Sequence, residues 1–165
     1  MNLKNIPMGS FEALNVLVEI PKGSKIKYEY DEEIGVMRLD FVFYNDFEFI
    51  YNYGLIPNTH AGDGDHLDAF VLGENPIASG TIVKVRPIGI VKIIDRGEED
   101  NKILSVPVQD VAFNEIQDIS DLREDLTNKF KEFFKKIGIQ KNKKIEFLGI
   151  FGKKEAIKEI EKCKK

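Results

Sequence analysis

The stretch TIVKVRPIGIVKII, residues 81–94, is the longest run of β-branched residues in the chain. Such a run predicts one long strand. Pro87 removes a donor from the strand ladder and Gly89 adds slack, so we expect a bulge or sharp bend between them. Long bent strands are how small barrels close, and the segment therefore favours a barrel or a sandwich.

Other parts of the chain carry shorter patterns of the same kind. The β-rich runs cover residues 13–20, 25–30, 36–43, 68–73, 101–108 and 144–151. Apolar residues recur with helical spacing from Leu122 to Ile137, which predicts an amphipathic helix with Ser120 as N-cap and Gly138 as its end. A second helical stretch follows residue 151, where Ile157 and Ile160 offer a narrow apolar face.

The bulk properties describe an ordinary folded protein. The chain has 165 residues, 42% of them apolar and 32% charged, with a net charge of −4, so we expect a single domain spanning residues 1–165. Cys163 is the only cysteine, and neither a secretory signal nor a membrane span is recognisable. These features predict a cytoplasmic protein without membrane partners, and the acidic balance disfavours nucleic-acid binding.

The densest chemical signal is DGDHLD, residues 63–68. Its carboxylates Asp63, Asp65 and Asp68 repel one another unless a hard cation is present. A solvated Asp-rich turn is the simpler interpretation of this segment alone. An EF-hand would use Asp63, Asp65 and Glu74 at loop positions 1, 3 and 12, but Leu67 and Asp68 stand at positions 5 and 6, where that loop needs a ligand and a glycine.

Three further elements carry polar groups that could serve the same site. Asp95 and Asp100 flank a predicted hairpin tip, which could equally be a solvated turn. Lys27 and Glu29 share one face of an early strand, as a phosphate contact or as an exposed ion pair. Tyr53 lies beside a glycine in NYG and could be a site phenol or a core aromatic.

The order EIP (19–21), KYE (27–29), NYG (52–54), DGDHLD (63–68) and Asp95 to Lys102 resembles soluble family I inorganic pyrophosphatases, from about Glu19 to Val108. This resemblance implies a mostly β protein with C-terminal helices (α+β), built on an OB-like five-stranded closed β-barrel. It also implies Mg²⁺-dependent hydrolysis of pyrophosphate, with Mn²⁺ as an alternative ion, by a homo-oligomer, commonly a hexamer. The implied roles are Asp65 as general base; Asp63, Asp68, Asp95 and Asp100 as metal ligands; Lys27, Tyr53 and Lys102 as phosphate contacts; and Glu19 and Glu29 as acids lining the cavity.

The chain departs from the family pattern at positions that contact phosphate. An Arg of the third strand is replaced by Phe41, and a Tyr-Lys pair near the end of the long helix by Ile137 and Gly138. Arg38 is a poor substitute, because an odd offset along a strand points to the other face. Arg96 stands where many members carry an acid. Charge could come instead from a nearby loop, unless that loop is only a solvated basic turn, and its lysines are Lys136, Lys141, Lys143 and Lys144.

Two alternatives to an active enzyme follow from the same residues. A non-catalytic descendant could bind a metal-chelated polyphosphate or nucleotide as a sensor or regulatory subunit, which the losses at Phe41, Ile137 and Gly138 motivate. An OB-type module for single-stranded nucleic acid would need a basic groove with stacking aromatics. The acidic face predicted here opposes that second alternative.

Overall fold

The computed structural model describes residues 1–165, and the chain is mostly β with two α-helices. Short 3-10 turns cover Leu3–Asn5, Val111–Phe113 and Ile119–Asp121. Neither α-helix has the length and apolar character needed to cross a membrane. The regular elements are β1 (Gly9–Ser10), β2 (Ala13–Ile20), β3 (Ile26–Asp31), β4 (Val36–Val42), β5 (Asn52–Ile56), β6 (Leu67–Val71), β7 (Ile82–Asp95), β8 (Glu98–Glu99), β9 (Lys102–Pro107), α1 (Thr127–Gln140), β10 (Ile145–Gly152) and α2 (Lys153–Cys163).

Five strands pair into a closed ring. β2 pairs with β5, β5 with β6, β6 with β9 and β9 with β7, and β7 returns to pair with β2. All of these pairings are antiparallel except that between β6 and β9. A ring of this kind leaves none of its five members as a free edge. The prediction of an OB-like five-stranded barrel is confirmed.

The long strand β7 makes this closure possible. Its first half pairs with β2 through Ile82–Val85, and its second half pairs with β10 through Gly89–Asp95. The register against β9 shifts between Pro87 and Gly89, which confirms the predicted irregularity. A bulge bends the strand, so one chain segment can serve two parts of the barrel wall.

Two strand predictions need correction. β3 and β4 form a separate two-stranded sheet outside the ring, although the sequence does not distinguish them from the barrel strands. β5 was not predicted, because it is short and contains Gly54. A Cβ at Gly54 would lie 1.9 Å from the Leu17 carbonyl oxygen of β2, so only glycine allows the two backbones to approach this closely.

The boundaries predicted for the long helix were wrong at both ends. Ser120 lies in the Ile119–Asp121 turn, whose N-cap is Asp118, because the Asp118 carboxylate accepts the backbone N–H of Ser120 at 2.9 Å. The α-helix begins only at Thr127, whose N–H donates to the Asp125 carboxylate at 2.9 Å. It continues through Gly138 to Gln140, since a helix tolerates an isolated glycine.

The barrel strands are covered on both faces by apolar clusters. α1 adds Phe130, Phe133 and Phe134 to one cluster, where their rings pack on Phe70 of β6. α2 contributes Ala156, Ile160 and Cys163 to the cluster on the other face, and Ile157 packs at its margin. Because successive side chains of a strand point to opposite faces, the strands contribute apolar residues to both clusters. The polar residues are left to the loops at the rim.

Candidate active site

A single cavity of about 710 Å³ is lined by every residue to which the family resemblance gives a role. The turn that precedes β6, the β7–β8 hairpin, the start of β9 and the strands β2, β3 and β5 all contribute to its lining. The two acidic segments therefore face one space, although their roles in it stay predictions. The residues brought together are Glu19, Lys27, Glu29, Tyr53, Asp63, Asp65, Asp68, Asp95, Asp100 and Lys102.

Lys102 is the centre of a buried polar group. β6 and β9 run parallel with Asp68 in register with Lys102, so the two side chains are neighbours. The Lys102 ammonium donates to Asp68 at 2.8 Å and to Asp100 at 2.9 Å, and the Tyr53 hydroxyl donates to Asp68 at 2.6 Å. Burial lowers the pKa of Lys102, but the charges of Asp68, Tyr53 and Asp100 outweigh it and raise that pKa well above its ordinary value.

The 63–68 turn presents its carboxylates with few protein partners. The backbone N–H of Asp65 donates to the Asp63 carboxylate at 3.0 Å, while the Asp65 carboxylate itself makes no hydrogen bond or ion pair. Burial first, and then the charges of Asp63 and Asp68, raise the pKa of Asp65. The strand β6 follows the turn, where an EF-hand would have a helix. The EF-hand alternative is therefore excluded.

The hairpin between β7 and β8 carries Asp95 at the cavity rim. Asp95 is in register with Glu98 across the hairpin. Its carboxylate accepts from the Lys143 ammonium at 2.6 Å and from the Arg96 guanidinium at 3.3 Å. Arg96 is largely exposed and also lines the cavity. Asp95 is thus held by two cationic side chains.

Strands β3 and β2 line the cavity with charges of both signs. Lys27 forms an ion pair of 2.6 Å with Asp40, and Glu29 is an exposed lining residue. Glu19 of β2 is buried, and its carboxylate accepts the backbone N–H of Tyr30 at 2.9 Å. Burial, reinforced by the charge of Asp68, raises the pKa of Glu19 from 4.5 to about 8.

The raised pKa of Glu19 predicts a pH-dependent stability of the metal-free protein. A carboxyl whose pKa is higher in the folded state than in the unfolded state contributes most below pH 4.5, and that contribution falls as the pH rises toward 8. The loss is at most about 1.4 kcal/mol per pH unit. We expect the unfolding free energy of Glu19→Gln, measured in urea with EDTA, to fall less steeply than that of wild type between pH 5 and pH 8. Parallel curves would contradict this.

The donor set of the cavity fits a hard divalent cation. Ten acidic side chains line it against six from Lys or Arg, and carboxylate oxygens are the ligands that Mg²⁺ and Mn²⁺ prefer. No three Asp, Glu, His or Cys side chains are grouped closely enough in this arrangement to surround one ion, because Lys102 and Lys143 hold the carboxylates of Asp68, Asp100 and Asp95. Cation binding therefore requires side chains to turn away from these ammonium groups.

Of the phosphate-contact positions that depart from the family pattern, only Ile137 lines the cavity. Phe41 packs edge-on against Phe43 with ring centroids 4.8 Å apart. The argument from strand parity against Arg38 was wrong, because a bulge at Asp40 places Arg38 opposite Glu29 and Phe41 opposite Lys27, on one face. Arg38 nevertheless lies outside the cavity, where it pairs with Asp31 at 2.9 Å.

Several residues of the cavity were missed or undervalued from the sequence. Lys141 and Lys143 line it, so their loop is more than a solvated basic turn, whereas Lys136 and Lys144 lie outside it. Glu98 and Glu99, which lie between Asp95 and Asp100 in the predicted hairpin, also line the cavity but were given no role. Glu32 and His66 contact each other and link the β3–β4 hairpin to the 63–68 turn. Only Glu98 and Glu99 could have been recognised from the local sequence. The other residues reach the cavity through contacts with segments that are distant in the chain.

Comparison with known proteins agrees with this arrangement. Residues 16–165 match the family described as inorganic pyrophosphatase. The inorganic pyrophosphatase of Synechocystis sp. is 39% identical over 166 residues, which cover 100% of this chain and 98% of that protein. The inorganic pyrophosphatase of Sulfolobus acidocaldarius is 46% identical over 133 residues, covering 79% of this chain and 75% of that protein.

Solved structures give the same result. The inorganic pyrophosphatase of Thermus thermophilus superposes with a TM-score of 0.88 at 34% identity, covering 99% of this chain and 97% of the other. That of Helicobacter pylori superposes with a TM-score of 0.89 at 34% identity, covering 96% of each. The resemblance drawn from the sequence motifs is confirmed, and the chain belongs to the inorganic pyrophosphatase family.

Proposed function

We propose that this protein hydrolyses inorganic pyrophosphate to two orthophosphate ions in a reaction that depends on Mg²⁺, which Mn²⁺ can replace. One observation carries the proposal: the two acidic segments, distant in sequence, line one cavity together with Lys27 and Lys102. Carboxylates to hold cations and ammonium groups to hold phosphate are what phosphoanhydride hydrolysis requires. Family membership supports the same activity.

We assign the cation ligands to Asp63, Asp68, Asp95 and Asp100. Divalent cations bound there would neutralise the phosphates and lower the pKa of water. The assignment uses only carboxylates that line the cavity. Substrate with its cations would replace the ammonium groups that now neutralise three of the four.

Asp65 is the group that we assign to proton transfer. Its carboxylate is free of protein partners, and its pKa is raised by burial and by Asp63 and Asp68. A base with a raised pKa accepts a proton from the attacking water more readily at neutral pH. Asp65 can therefore act as the general base.

The remaining polar residues of the cavity hold the substrate. Lys102 and Lys27 supply positive charge to the bridging and terminal phosphate oxygens, which stabilises the charge that develops as the anhydride bond breaks. Tyr53, which now donates to Asp68, offers its hydroxyl to a phosphate oxygen. Glu19 and Glu29 line the same cavity, and Glu29 adds to its negative potential and so to its affinity for cations.

Assembly and location complete the proposal. We propose a single domain that forms a homo-oligomer, with a hexamer as the expected state, in the cytoplasm. Exposed apolar residues on and beside the edge strand β4, among them Ile34, Val36, Leu39 and Val42, support an assembly surface. The buried free thiol of Cys163 accords with a reducing compartment. Light scattering coupled to gel filtration measures the oligomeric state.

The decisive experiment is a phosphate-release assay with the purified protein. The substrates are pyrophosphate, tripolyphosphate and nucleoside triphosphates, each with Mg²⁺, with Mn²⁺ or with EDTA. We expect the fastest release from pyrophosphate with Mg²⁺, slower release with Mn²⁺ and none with EDTA. Tight pyrophosphate binding without turnover would favour the non-catalytic alternative, which the named relatives do not support.

A further inference from the structure

Three lysines gather at one end of the cavity. Lys27 of β3 is in register with Phe41 of β4, and the Lys141 ammonium lies 5.4 Å from the centre of the Phe41 ring. Lys143 follows two residues later and also lines the cavity. Burial first, and then the charges of Lys27 and Lys143, lower the pKa of Lys141. The Lys141 ammonium thus lies close enough to Lys27 and Lys143 to be repelled by both.

These charges are only partly neutralised. Lys27 is paired with Asp40 and Lys143 with Asp95, each at 2.6 Å, whereas Lys141 makes no hydrogen bond or ion pair. Ile137 and the rings of Phe43 and Phe49 line the cavity as apolar surface, and apolar surface cannot screen a charge. Beside the carboxylates suited to cations, the cavity therefore holds an ammonium group without an acidic partner, that of Lys141, which suits an anion.

The turn that carries Lys141 and Lys143 depends on Gly138. The Lys143 N–H donates to the Gly138 carbonyl at 2.9 Å, which folds the segment after α1 back onto the helix. A Cβ at position 138 would lie 2.9 Å from the Lys143 carbonyl oxygen, so a larger residue would force the turn outward. Gly138 stands where the family pattern has a lysine. The same glycine leaves room for the turn that brings Lys141 and Lys143 to the cavity.

We propose that Lys141 and Lys143, together with Lys27, bind one phosphate group of the substrate in the end of the cavity beside Phe41 and Ile137. The inference rests on the proposed hydrolysis of pyrophosphate and assigns substrate contacts to residues outside the family pattern. Ammonium groups act as point charges without the fixed fork of a guanidinium. A cluster of them can hold a phosphate from several directions, which compensates for the polar groups lost at positions 41, 137 and 138.

The test compares lysines of the same turn. Lys141→Ala and the double variant with Lys143→Ala are assayed for kcat and KM, and Lys144→Ala, in which an exposed lysine outside the cavity is removed, is the matched control. Each lost charge-assisted contact should lower kcat/KM about tenfold or more. Lys141→Arg, which keeps the charge, should recover most of the activity. The control should stay within about twofold of wild type, since it leaves the proposed contacts intact.

A binding measurement separates this inference from the proposed activity. Orthophosphate is titrated into each variant by calorimetry, and the melting temperature reports whether the variant is folded. We expect the double variant to bind orthophosphate about tenfold more weakly than wild type and Lys144→Ala. Equal binding and equal kcat/KM in all variants would overturn the inference while leaving pyrophosphate hydrolysis intact. A wild type without turnover would overturn the activity, and orthophosphate binding would still decide the inference.

Gly138→Ala gives an independent check, because it keeps both lysines. The added methyl group should displace the turn, so we expect weaker orthophosphate binding and a lower kcat/KM with circular dichroism unchanged. Wild-type values in a folded Gly138→Ala protein would contradict the dependence of the two lysines on the turn.

Discussion

Asp65→Asn is expected to reduce the rate of pyrophosphate hydrolysis by about 10²–10⁴-fold, the range typical for loss of a general base. Asn has the size of Asp but accepts no proton at neutral pH. The Asp65 backbone N–H holds the turn by donating to Asp63, and the substitution keeps that bond. The loss should therefore fall on kcat, with the fold and the KM for pyrophosphate little changed.

The matched control for Asp65→Asn is Asp46→Asn. Asp46 is 86% exposed, lies outside the cavity and has one long ion pair, of 3.6 Å, with Lys136. We expect this variant to keep the wild-type rate. Release of phosphate is measured at saturating substrate with Mg²⁺, and circular dichroism verifies the fold. An Asp65→Asn protein within tenfold of the wild-type kcat would assign the proton transfer to another group.

Lys102→Met should produce the largest combined loss of activity and stability. The variant removes a buried ammonium that joins Asp68 and Asp100, and it leaves the two carboxylates to repel each other. Breaking one partner of a buried ion pair costs about 3–5 kcal/mol. We expect the unfolding free energy of the metal-free variant to fall by about 3 kcal/mol, and kcat to fall by about 10²–10³-fold, as for loss of one preorganised donor.

Divalent cations should reverse part of the stability loss in Lys102→Met. A bound cation relieves the same repulsion that the ammonium relieved, and a ligand specific for the folded state stabilises it. Urea denaturation with EDTA measures the stability loss of the variant, and urea denaturation with Mg²⁺ measures how much of that loss the cation restores. The control, Lys92→Met, removes a half-exposed ion pair of 3.3 Å with Glu155 and should cost about 0–1 kcal/mol. Equal losses for Lys102→Met in EDTA and in Mg²⁺ would contradict the interpretation.

The parts of the fold predicted from the sequence are those whose signal is local. The run of residues 81–94 contains both its β propensity and its irregularity at Pro87 and Gly89, and the structure shows one strand with a register shift there. β5 was not predicted because Gly54 weakens its β signal. The glycine is needed because the backbone of β2 approaches it closely. The start of α1 was misjudged because Asp118 and Asp121 cap a separate turn before it.

In the candidate site, too, only the residues with a local sequence signal could be predicted. Asp63, Asp65 and Asp68 are recognisable because three carboxylates fall within six residues. Their contact with Lys102 follows from the parallel register of β6 and β9, which no short motif records. Lys141 and Lys143 could not be told from a solvated turn, because their direction depends on the hydrogen bond between Lys143 and Gly138.

The most direct test of the central claim is to locate the cations. Crystals grown with Mn²⁺ and the non-hydrolysable analogue imidodiphosphate would show each ion as an anomalous difference peak. The account predicts two or more peaks in the cavity, within about 2.0–2.4 Å of carboxylate oxygens of Asp63, Asp68, Asp95 and Asp100. A cavity without peaks, or ions bound only to other surfaces, would contradict the claim that these distant carboxylates form one cation site.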